Sequence, residues 1–453
     1  MILINRKREL EWLNEIYTSK KAEFLVVYGR RRLGKTYLIK NFIKNKPHFY
    51  FLAKQRNIEK EFNRFKEKFA KEFNLYIEAK DFEEFFDEVL RKIKQKNKFI
   101  FVIDEFPYWI QKNPEIVSEF QYLWDEVLKN KNVFLVLIGS YVSIMENKLL
   151  SYKSPIYGRK TSQIELKRMP ITALKEFFPK FDVESLINIY GLTDTIPYYL
   201  NMIESKDLKK NLLKLLNPNH NYFQDAEILL REEVREVATY LDILKAINEG
   251  KTKLNEIANA SRVDITNISK YIKVLLGMKI IKKIKPLTFP EKEKNFVYKI
   301  SDNYFRFWLS FIYDYKEEIE ENLEGYVNYV LNKYKEYVGG VFEEFCIRFL
   351  PLLFNYLRIG RWWYKDREID IVALNEKAKE IFFAECKWKD KVNAKKTVKE
   401  LAEKSQYVQW HKDKRKESFI IFAKSFRKKI KSYESKKVYC FDLKDLQNLL
   451  RKR

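Results

Sequence analysis

The sequence predicts a multidomain protein that opens with an α/β domain built on a parallel sheet. Its 453 residues suffice for about two to four domains, each with its own core. Apolar runs at 24–28, 49–52, 99–103 and 133–138 are each followed by an amphipathic stretch. The runs are continuously apolar rather than alternating, which is typical of parallel strands covered by helices on both faces.

The first strand leads into a phosphate-binding motif. Eight consecutive residues between the strand at 24–28 and a predicted helix at 37–42 fit G-x-x-x-x-G-K-T: Gly29, Arg30, Arg31, Arg32, Leu33, Gly34, Lys35 and Thr36. Backbone N–H groups of such a loop, with the N-terminus of the following helix, converge on phosphates. Lys35 would reach the β- and γ-phosphates, and the Thr36 hydroxyl would hold Mg²⁺. This segment, called the phosphate loop below, predicts binding of a nucleoside triphosphate with Mg²⁺.

The third apolar run ends in two carboxylates that suit nucleotide hydrolysis. Asp104 would reach the Mg²⁺ shell, and Glu105 would orient and deprotonate the attacking water. The fourth run ends at Ser140, whose hydroxyl either senses the γ-phosphate or lies in a simple turn. Arg159, in the loop at 154–161, is either an arginine finger for the phosphoryl group or an ordinary surface residue.

The middle of the chain reads as helical. Residues 166–235 are predicted to form a helical lid, punctuated by two prolines. Residues 236–300 predict three helices and a two-stranded ribbon, the pattern of a winged helix-turn-helix. The third helix would offer a polar face to a DNA major groove, or the module would mediate protein contacts or merely relay lid motion. That face comprises Thr266, Asn267, Ser269, Lys270 and Lys273. A helical connector at 301–337 is expected to end at Gly339-Gly340.

A second α/β pattern follows, with strands predicted near 369–374, 380–386, 418–423 and 437–441. Asp370 lies within the first of these strands, and Glu385 and Lys387 share one face of the second. A hairpin would bring Asp370 beside Glu385, so that the two carboxylates hold one Mg²⁺ and activate water against a phosphodiester, with Lys387 beside them. Glu343, on a preceding helix, would be an outer ligand. The alternative is a salt-bridged pair of side chains on an ordinary sheet.

The overall charge suggests a polyanionic partner. Lys and Arg total 88 against 63 Asp and Glu, a net charge of +25. Residues 386–437 hold 18 Lys or Arg and 6 Asp or Glu, almost half of the excess. Nucleic acid is the expected partner, although a Lys- and Glu-rich thermophile-like surface would give a similar composition.

Composition also argues against several classes of protein. The three cysteines and three histidines are widely spaced and form neither a zinc pattern nor a disulfide framework. The start of the chain lacks the apolar core of a signal peptide, and the apolar runs are too short to span a bilayer. We therefore expect a cytoplasmic protein without membrane contact.

Several motifs together resemble the archaeal ATPase family, a STAND-like branch of the AAA+ P-loop ATPases. They are INRKREL at 4–10, the phosphate loop, FVIDEFPY at 101–108, LIGS at 137–140 and SPIYGRKT at 154–161. The resemblance covers about residues 1–235 and implies ATP as the nucleotide. In that family a Gly-Gly-x-Pro-type turn closes the lid near the adenine. The corresponding residues 192–197 keep Pro197 but lack the glycines.

The C-terminal residues 338–453 resemble the PD-(D/E)xK restriction-nuclease superfamily and the domain of unknown function that accompanies these ATPases. Together the resemblances imply five segments: a P-loop ATPase core of AAA+ type (1–165), a helical lid (166–235), a winged helix (236–300), a connector (301–337) and a restriction-endonuclease-like α/β domain (338–453). The expected function is an Mg²⁺-dependent ATPase switch near nucleic acid that controls the C-terminal domain, with homo-oligomerisation open. The alternative is a regulatory scaffold with slow ATP turnover and an inactive nuclease fold.

Overall fold

The apolar runs of the first 168 residues form one parallel sheet. The computed structural model describes residues 5–93, 97–289, 295–356, 358–412 and 414–451. Ile4 of the opening motif, the wing residues 290–294 and the last two residues of the predicted C-terminal domain therefore lie outside the described residues. The chain divides into two units, residues 1–168 and 169–453. The finer division into five segments stays a prediction.

In the first unit, five parallel strands lie in the order β2-β3-β4-β1-β5. The strands are β1 (Glu23–Tyr28), β2 (His48–Leu52), β3 (Phe99–Asp104), β4 (Val133–Gly139) and β5 (Ser162–Glu165). The helices are α1 (Lys7–Tyr17), α2 (Lys35–Ile43), α3 (Ile58–Phe73), α4 (Phe82–Lys92), α5 (Pro107–Lys112), α6 (Ile116–Tyr122) and α7 (Val142–Ile144), with π-helical turns at Leu123–Leu128 and Met145–Leu149. The parallel sheet and its four apolar strands confirm the prediction.

Both faces of this sheet are buried, as the continuous apolar runs predict. Strands β3 and β4 are buried along their whole length. On one face, aromatic side chains of α3 and α4 pack edge-on against the strands, for example Phe65 on Phe49 with ring centroids 5.0 Å apart. On the other face, Phe42 of α2 packs on Phe134 of β4 at 5.7 Å. This packing fixes the carboxyl ends of β1 and β3, where the residues predicted to bind nucleotide lie.

The second unit begins with helices and continues into a small ribbon. Its helices up to the ribbon are α8 (Ala173–Phe177), α9 (Val183–Thr193), α10 (Pro197–Leu200), α11 (Leu208–Leu215), α12 (Asn221–Glu233), α13 (Val237–Asn248), α14 (Leu254–Ser261) and α15 (Ile265–Gly277). The antiparallel strands β6 (Ile281–Ile284) and β7 (Val297–Ile300) form the ribbon. In α15, Ile268, Ile272 and Leu275 are buried, whereas all five residues of the predicted polar face are exposed.

The rest of the second unit is a mixed sheet with helices. Its helices are α16 (Asn303–Phe311), α17 (Lys316–Glu321), α18 (Leu323–Phe349), α19 (Ala394–Ser405) and α20 (Leu443–Arg451), with a 3₁₀ turn at Leu350–Leu352. The strands are β8 (Arg358–Tyr364), β9 (Arg367–Asn375), β10 (Glu380–Lys387), β11 (Val392–Asn393), β12 (Lys416–Ala423), β13 (Phe426–Lys428), β14 (Ser432–Tyr433) and β15 (Lys436–Phe441). Six of them form a sheet in the order β14-β15-β12-β10-β9-β8, and β11 pairs with β13.

The predicted hairpin between the two acid-bearing strands is confirmed, since β9 and β10 pair antiparallel. Valine and leucine side chains of α19 pack on one face of this sheet. Helix α18 also packs against β10. The ring of Phe342 on α18 lies 5.0 Å from that of Trp388, the residue that follows the strand.

The expected end of the connector at Gly339-Gly340 is wrong. Helix α18 runs through both glycines to Phe349. A glycine costs a helix only about 1 kcal/mol relative to alanine, and here the flanking turns are anchored by buried Val338, Val341 and Phe345. Packing on both sides of the glycine pair therefore outweighs their poor helix propensity.

Candidate functional site

The phosphate loop is shaped by its glycines. Gly29 and Gly34 have φ angles of 141° and 85°, in the range where glycine alone is unstrained. A Cβ on Gly29 would lie 2.4 Å from the carbonyl oxygen of Leu166, so any side chain there would collide with backbone. Gly34 caps the N-terminus of α2, whose first N–H groups have no partner within the helix. The loop therefore curls at the carboxyl end of β1, as an anion-binding loop requires.

Lys35 lies inside this loop. Its side chain is buried, and its Nζ donates to the carbonyl oxygens of Gly29 and Arg30 at 2.6 and 2.9 Å. These contacts hold the ammonium group in the concave side of the loop. That is the position from which Lys35 would reach the phosphates.

Asp104 joins the loop to the end of β3. Its Oδ2 accepts hydrogen bonds from the Thr36 hydroxyl and from the Tyr50 hydroxyl, both at 2.6 Å. Burial and the neighbouring Asp104 raise the pKa of Tyr50, so its phenol keeps the proton that it donates. The structure thus brings together the two predicted Mg²⁺ residues, Thr36 and Asp104.

These residues fit a nucleotide-bound Mg²⁺. A hydroxyl and a carboxylate are the hard oxygen donors that Mg²⁺ prefers, with the remaining positions filled by phosphate oxygens and water. No group of three or more His, Cys, Asp or Glu side chains placed to hold a metal is found in the described part of the chain.

Glu105, the predicted base, is held by neighbouring donors. Its Oε1 accepts from the Ser140 hydroxyl at 2.7 Å and lies 3.9 Å from Nη1 of Arg31 in the phosphate loop. Arg31 also donates to the Tyr108 hydroxyl at 3.1 Å and lies over the Tyr141 ring at 4.9 Å. The structure therefore brings Glu105, Ser140 and a loop arginine together.

Arg159 lies in a different setting. Its Nε donates to Asp125 at 3.1 Å and its Nη1 to the carbonyl of Pro155 at 3.2 Å. Both partners belong to its own unit, and the guanidinium is half-buried. A role for Arg159 as an arginine finger stays a prediction.

The lid turn at 192–197 is filled by protein contacts. Thr193, Asp194 and Thr195 are fully buried. Arg348 of α18 donates to Asp194 Oδ1 and to Thr195 Oγ1, both at 2.8 Å. A partly buried ion pair, Arg348–Asp194, therefore lies at the turn that corresponds to the family's glycine turn.

The C-terminal candidate residues also meet. Asp370 accepts from the backbone N–H of Cys386 at 2.8 Å. Glu385 pairs with Lys387 at 2.7 Å and with Lys404 of α19 at 3.4 Å. Burial, followed by the charges of Glu385 and Glu343, raises the pKa of Asp370 to about 7. The carboxylates of Asp370, Glu385 and Glu343 therefore interact with one another near the β9–β10 hairpin. A bound cation would reduce their mutual repulsion.

Sequence reasoning missed two residues of these sites, Tyr50 and Lys404, and one contact of a third, Arg31. Tyr50 lies on β2, and its contact with Asp104 arises from the pairing of β2 with β3, which has no local signature in the sequence. Lys404 lies on α19 and is distant in sequence from Glu385 on β10, so only the tertiary fold brings the two side chains together. Arg31 was assigned to phosphate binding alone, and its contact with Glu105 has no local signature.

Two protein families match the chain, and two proteins of one archaeon are similar to it in sequence. A family described as an ATPase domain predominantly from Archaea matches residues 3–203, and a second, described as Archaea bacterial proteins of unknown function, matches residues 308–399. Uncharacterized protein MJECL04 of Methanocaldococcus jannaschii is 36% identical over 455 residues, 98% of this chain and 100% of the relative. Uncharacterized ATP-binding protein MJ0423 of the same organism is 50% identical over 46 residues, 10% of this chain and 78% of the relative.

A solved structure shares the fold. The Walker-type ATPase PABY2304 of Pyrococcus abyssi aligns with 68% of this chain and 96% of its own, with a TM-score of 0.50 and 21% identity. None of the helices among the described residues is long and apolar enough to cross a membrane. On the matched domains and the full-length relative, the chain belongs to the archaeal ATPase family, whose ATPase domain it carries together with a C-terminal domain of unknown function.

Proposed function

We propose that the chain is an Mg²⁺-dependent ATPase that works as a switch on or near nucleic acid. The observation that carries the proposal is the meeting of Thr36 and Asp104 at 2.6 Å beside a glycine-shaped loop. Lys35 would bind the β- and γ-phosphates, and Thr36 and Asp104 would hold the Mg²⁺ that neutralises their charge.

Glu105 is proposed as the residue that orients and deprotonates the attacking water. It is held by Ser140 and faces Arg31. In this arrangement Ser140 and Arg31 engage the carboxylate, so slow basal turnover is expected until the carboxylate is released to the attacking water. Slow turnover is typical of a switch rather than of a steadily working motor.

Variants of Lys35 and Glu105 separate binding from hydrolysis. Lys35→Ala should remove ATP binding, because it removes the cation inside the loop. Glu105→Gln should bind ATP but hydrolyse it at least about a hundredfold more slowly, since a neutral amide is no base. Equilibrium binding of a fluorescent ATP analogue and single-turnover hydrolysis report the two properties. Equal hydrolysis by wild type and Glu105→Gln would remove Glu105 as the base.

The second unit is proposed to supply the nucleic-acid interface. Helices α13–α15 followed by the β6–β7 ribbon have the order of a winged helix-turn-helix, and the outer face of α15 is exposed. The C-terminal sheet is proposed to be nuclease-like, with Asp370 and Glu385 as metal ligands and Lys387 beside them.

A regulatory scaffold with an inactive nuclease fold is the second candidate. The observation that favours it is the engagement of Glu385 by both Lys387 and Lys404. Cleavage of plasmid and single-stranded DNA with Mg²⁺ or Mn²⁺ decides between the two. Cleavage that Asp370→Ala abolishes, with ATP hydrolysis intact, supports the nuclease; absence of cleavage by wild type supports the scaffold.

A further inference from the structure

A group of charged side chains connects the β6–β7 ribbon to the C-terminal sheet. We call it the ribbon cluster, and its members come from five elements: Lys282, Lys299, Arg306, Glu343, Glu344 and Arg361. Glu344 pairs with Lys282 at 3.2 Å and with Arg306 at 3.0 Å. Glu343 pairs with Arg361 at 2.6 Å. Three of the four cations of the cluster therefore form ion pairs with its two carboxylates, and the fourth, Lys299, interacts with both carboxylates electrostatically.

The two ribbon lysines are placed where their charges repel. Lys282 and Lys299 are directly opposite each other in the antiparallel register, so their side chains leave the same face of the ribbon. Burial and the nearby Arg361 lower the pKa of Lys299, against the opposing pull of Glu343 and Glu344. A surplus of cations in a half-buried position is unfavourable without an anion to balance it.

The cluster adjoins the C-terminal candidate site. Asp370 interacts electrostatically with both Arg361 and Glu343, and it interacts in turn with Glu385. Cations next to a carboxylate pair are the arrangement that would hold a phosphate group near a metal-bound water.

We propose that Lys299, with Lys282 and Arg361, binds a backbone phosphate of nucleic acid and presents the strand to the Asp370–Glu385 site. This inference rests on the proposed function and deepens it, because it makes the ribbon part of the C-terminal site. The ligand class is a phosphodiester, which Lys and Arg recognise by charge rather than by base sequence.

The test compares matched lysines on the two faces of one ribbon. Lys283 neighbours Lys282 on β6 but points to the opposite face, so Lys283→Gln removes the same charge without touching the cluster. Full-length wild type, Lys299→Gln, Lys299→Arg and Lys283→Gln are titrated with labelled single-stranded and duplex DNA in EDTA, by fluorescence anisotropy over a salt series. Thermal unfolding of each variant verifies that it is folded.

Lys299→Gln should weaken binding by roughly tenfold at low salt, the loss expected for one charge-assisted hydrogen bond. It should also reduce the slope of log K against log salt by about one. Lys299→Arg should restore both values, and Lys283→Gln should keep the wild-type slope.

Three results would overturn the inference. One is an unchanged slope in Lys299→Gln, and another is an equal change in Lys283→Gln. The third combines two observations: inorganic phosphate raises the unfolding temperature of wild type but not of Lys299→Gln, and the two proteins bind DNA with equal affinity. That result would assign the cluster to a small free anion. If wild type binds neither DNA, the nucleic-acid part of the proposed function fails as well; if it binds and Lys299 has no effect, only this inference fails.

Discussion

One carboxylate oxygen accepts two hydrogen bonds at the end of the first unit that is predicted to bind nucleotide. Asp104 Oδ2 receives hydroxyl groups from a loop residue, Thr36, and from a strand residue, Tyr50. Thr36 and Asp104 could be predicted from sequence because each belongs to a local motif. Tyr50 could not, because its contact depends on the pairing of β2 with β3.

Tyr50→Phe should weaken the response to Mg²⁺ while leaving the fold intact. The variant loses one hydrogen bond to a charged acceptor, which typically costs about 1.5–3 kcal/mol. We expect the Mg²⁺ concentration for half-maximal ATP hydrolysis to rise roughly tenfold, with turnover at saturating Mg²⁺ almost unchanged. Tyr76→Phe, at a tyrosine that is 77% exposed, is the control. An identical Mg²⁺ dependence in both variants would contradict this role for Tyr50.

Asp370 should make stability fall with rising pH. Its pKa of about 7 in the folded protein exceeds the ordinary value of 3.8, so between these values the folded state binds a proton that the unfolded state has lost. The free energy of unfolding therefore decreases as pH rises from about 4 to about 7. Asp370→Asn removes this dependence.

Thermal unfolding at several pH values measures the effect. Asp370→Asn should unfold a few degrees above wild type at pH 8, and the difference should shrink towards pH 5. Glu368→Gln, at an exposed neighbour on the same strand, is the control. A difference that is the same at every pH would show that the raised pKa of Asp370 is not its cause.

Whole elements were predicted where one physical signal dominated. Strands β1–β4 were found because continuous apolar runs have few other uses in a soluble α/β domain. Strand β5 was missed because Ser162–Glu165 is short, polar and paired along one edge only. Strand β8 contains two arginines and a glycine before its three consecutive aromatic residues, so it carries no clear apolar run. The end of the connector was wrongly predicted at Gly339-Gly340, because helix propensity was considered without the packing that stabilises α18.

Two glycine substitutions should have opposite effects on stability. Gly339 lies inside α18 with open space around the position of a Cβ, so Gly339→Ala should raise the free energy of unfolding by up to about 1 kcal/mol. Gly191 lies in α9, where a Cβ would come 2.4 Å from the Tyr334 hydroxyl. Gly191→Ala should therefore destabilise the protein by displacing that hydroxyl from the Asn188 carbonyl. Chemical denaturation measures both, and stabilisation by Gly191→Ala would contradict the described packing.

At the scale of the molecule, the excess of positive charge is concentrated rather than spread. The 18 Lys or Arg of residues 386–437 include exposed Lys395, Lys396 and Lys399 on α19. The other predicted nucleic-acid surface is the outer face of α15, with exposed Lys270 and Lys273. Charge and exposure were readable from sequence, whereas the partner that they attract was not.

Polyanion affinity should depend on salt through these two surfaces. Replacing Lys395, Lys396 and Lys399 by Gln should lower the slope of log K against log salt by up to about three, and replacing Lys270 and Lys273 by up to about two. The control replaces Lys209 and Lys210, which are exposed on α11. Equal changes in all three variants would indicate non-specific attraction to the whole surface.

Helix α18 also limits where domains of this chain could be exchanged by recombination. Its 27 residues extend for about 40 Å. They include Tyr334, which packs among the helices of the second unit, and Glu343, which lies beside the C-terminal sheet. A recombination point between Gly339 and Gly340 would interrupt one continuous helix. The apolar side chains of both halves would then be exposed. The family domain that matches residues 308–399 begins within α16, upstream of this helix. Exchange of C-terminal domains between relatives is therefore expected to carry α18 whole, together with the Arg348 that binds the lid turn.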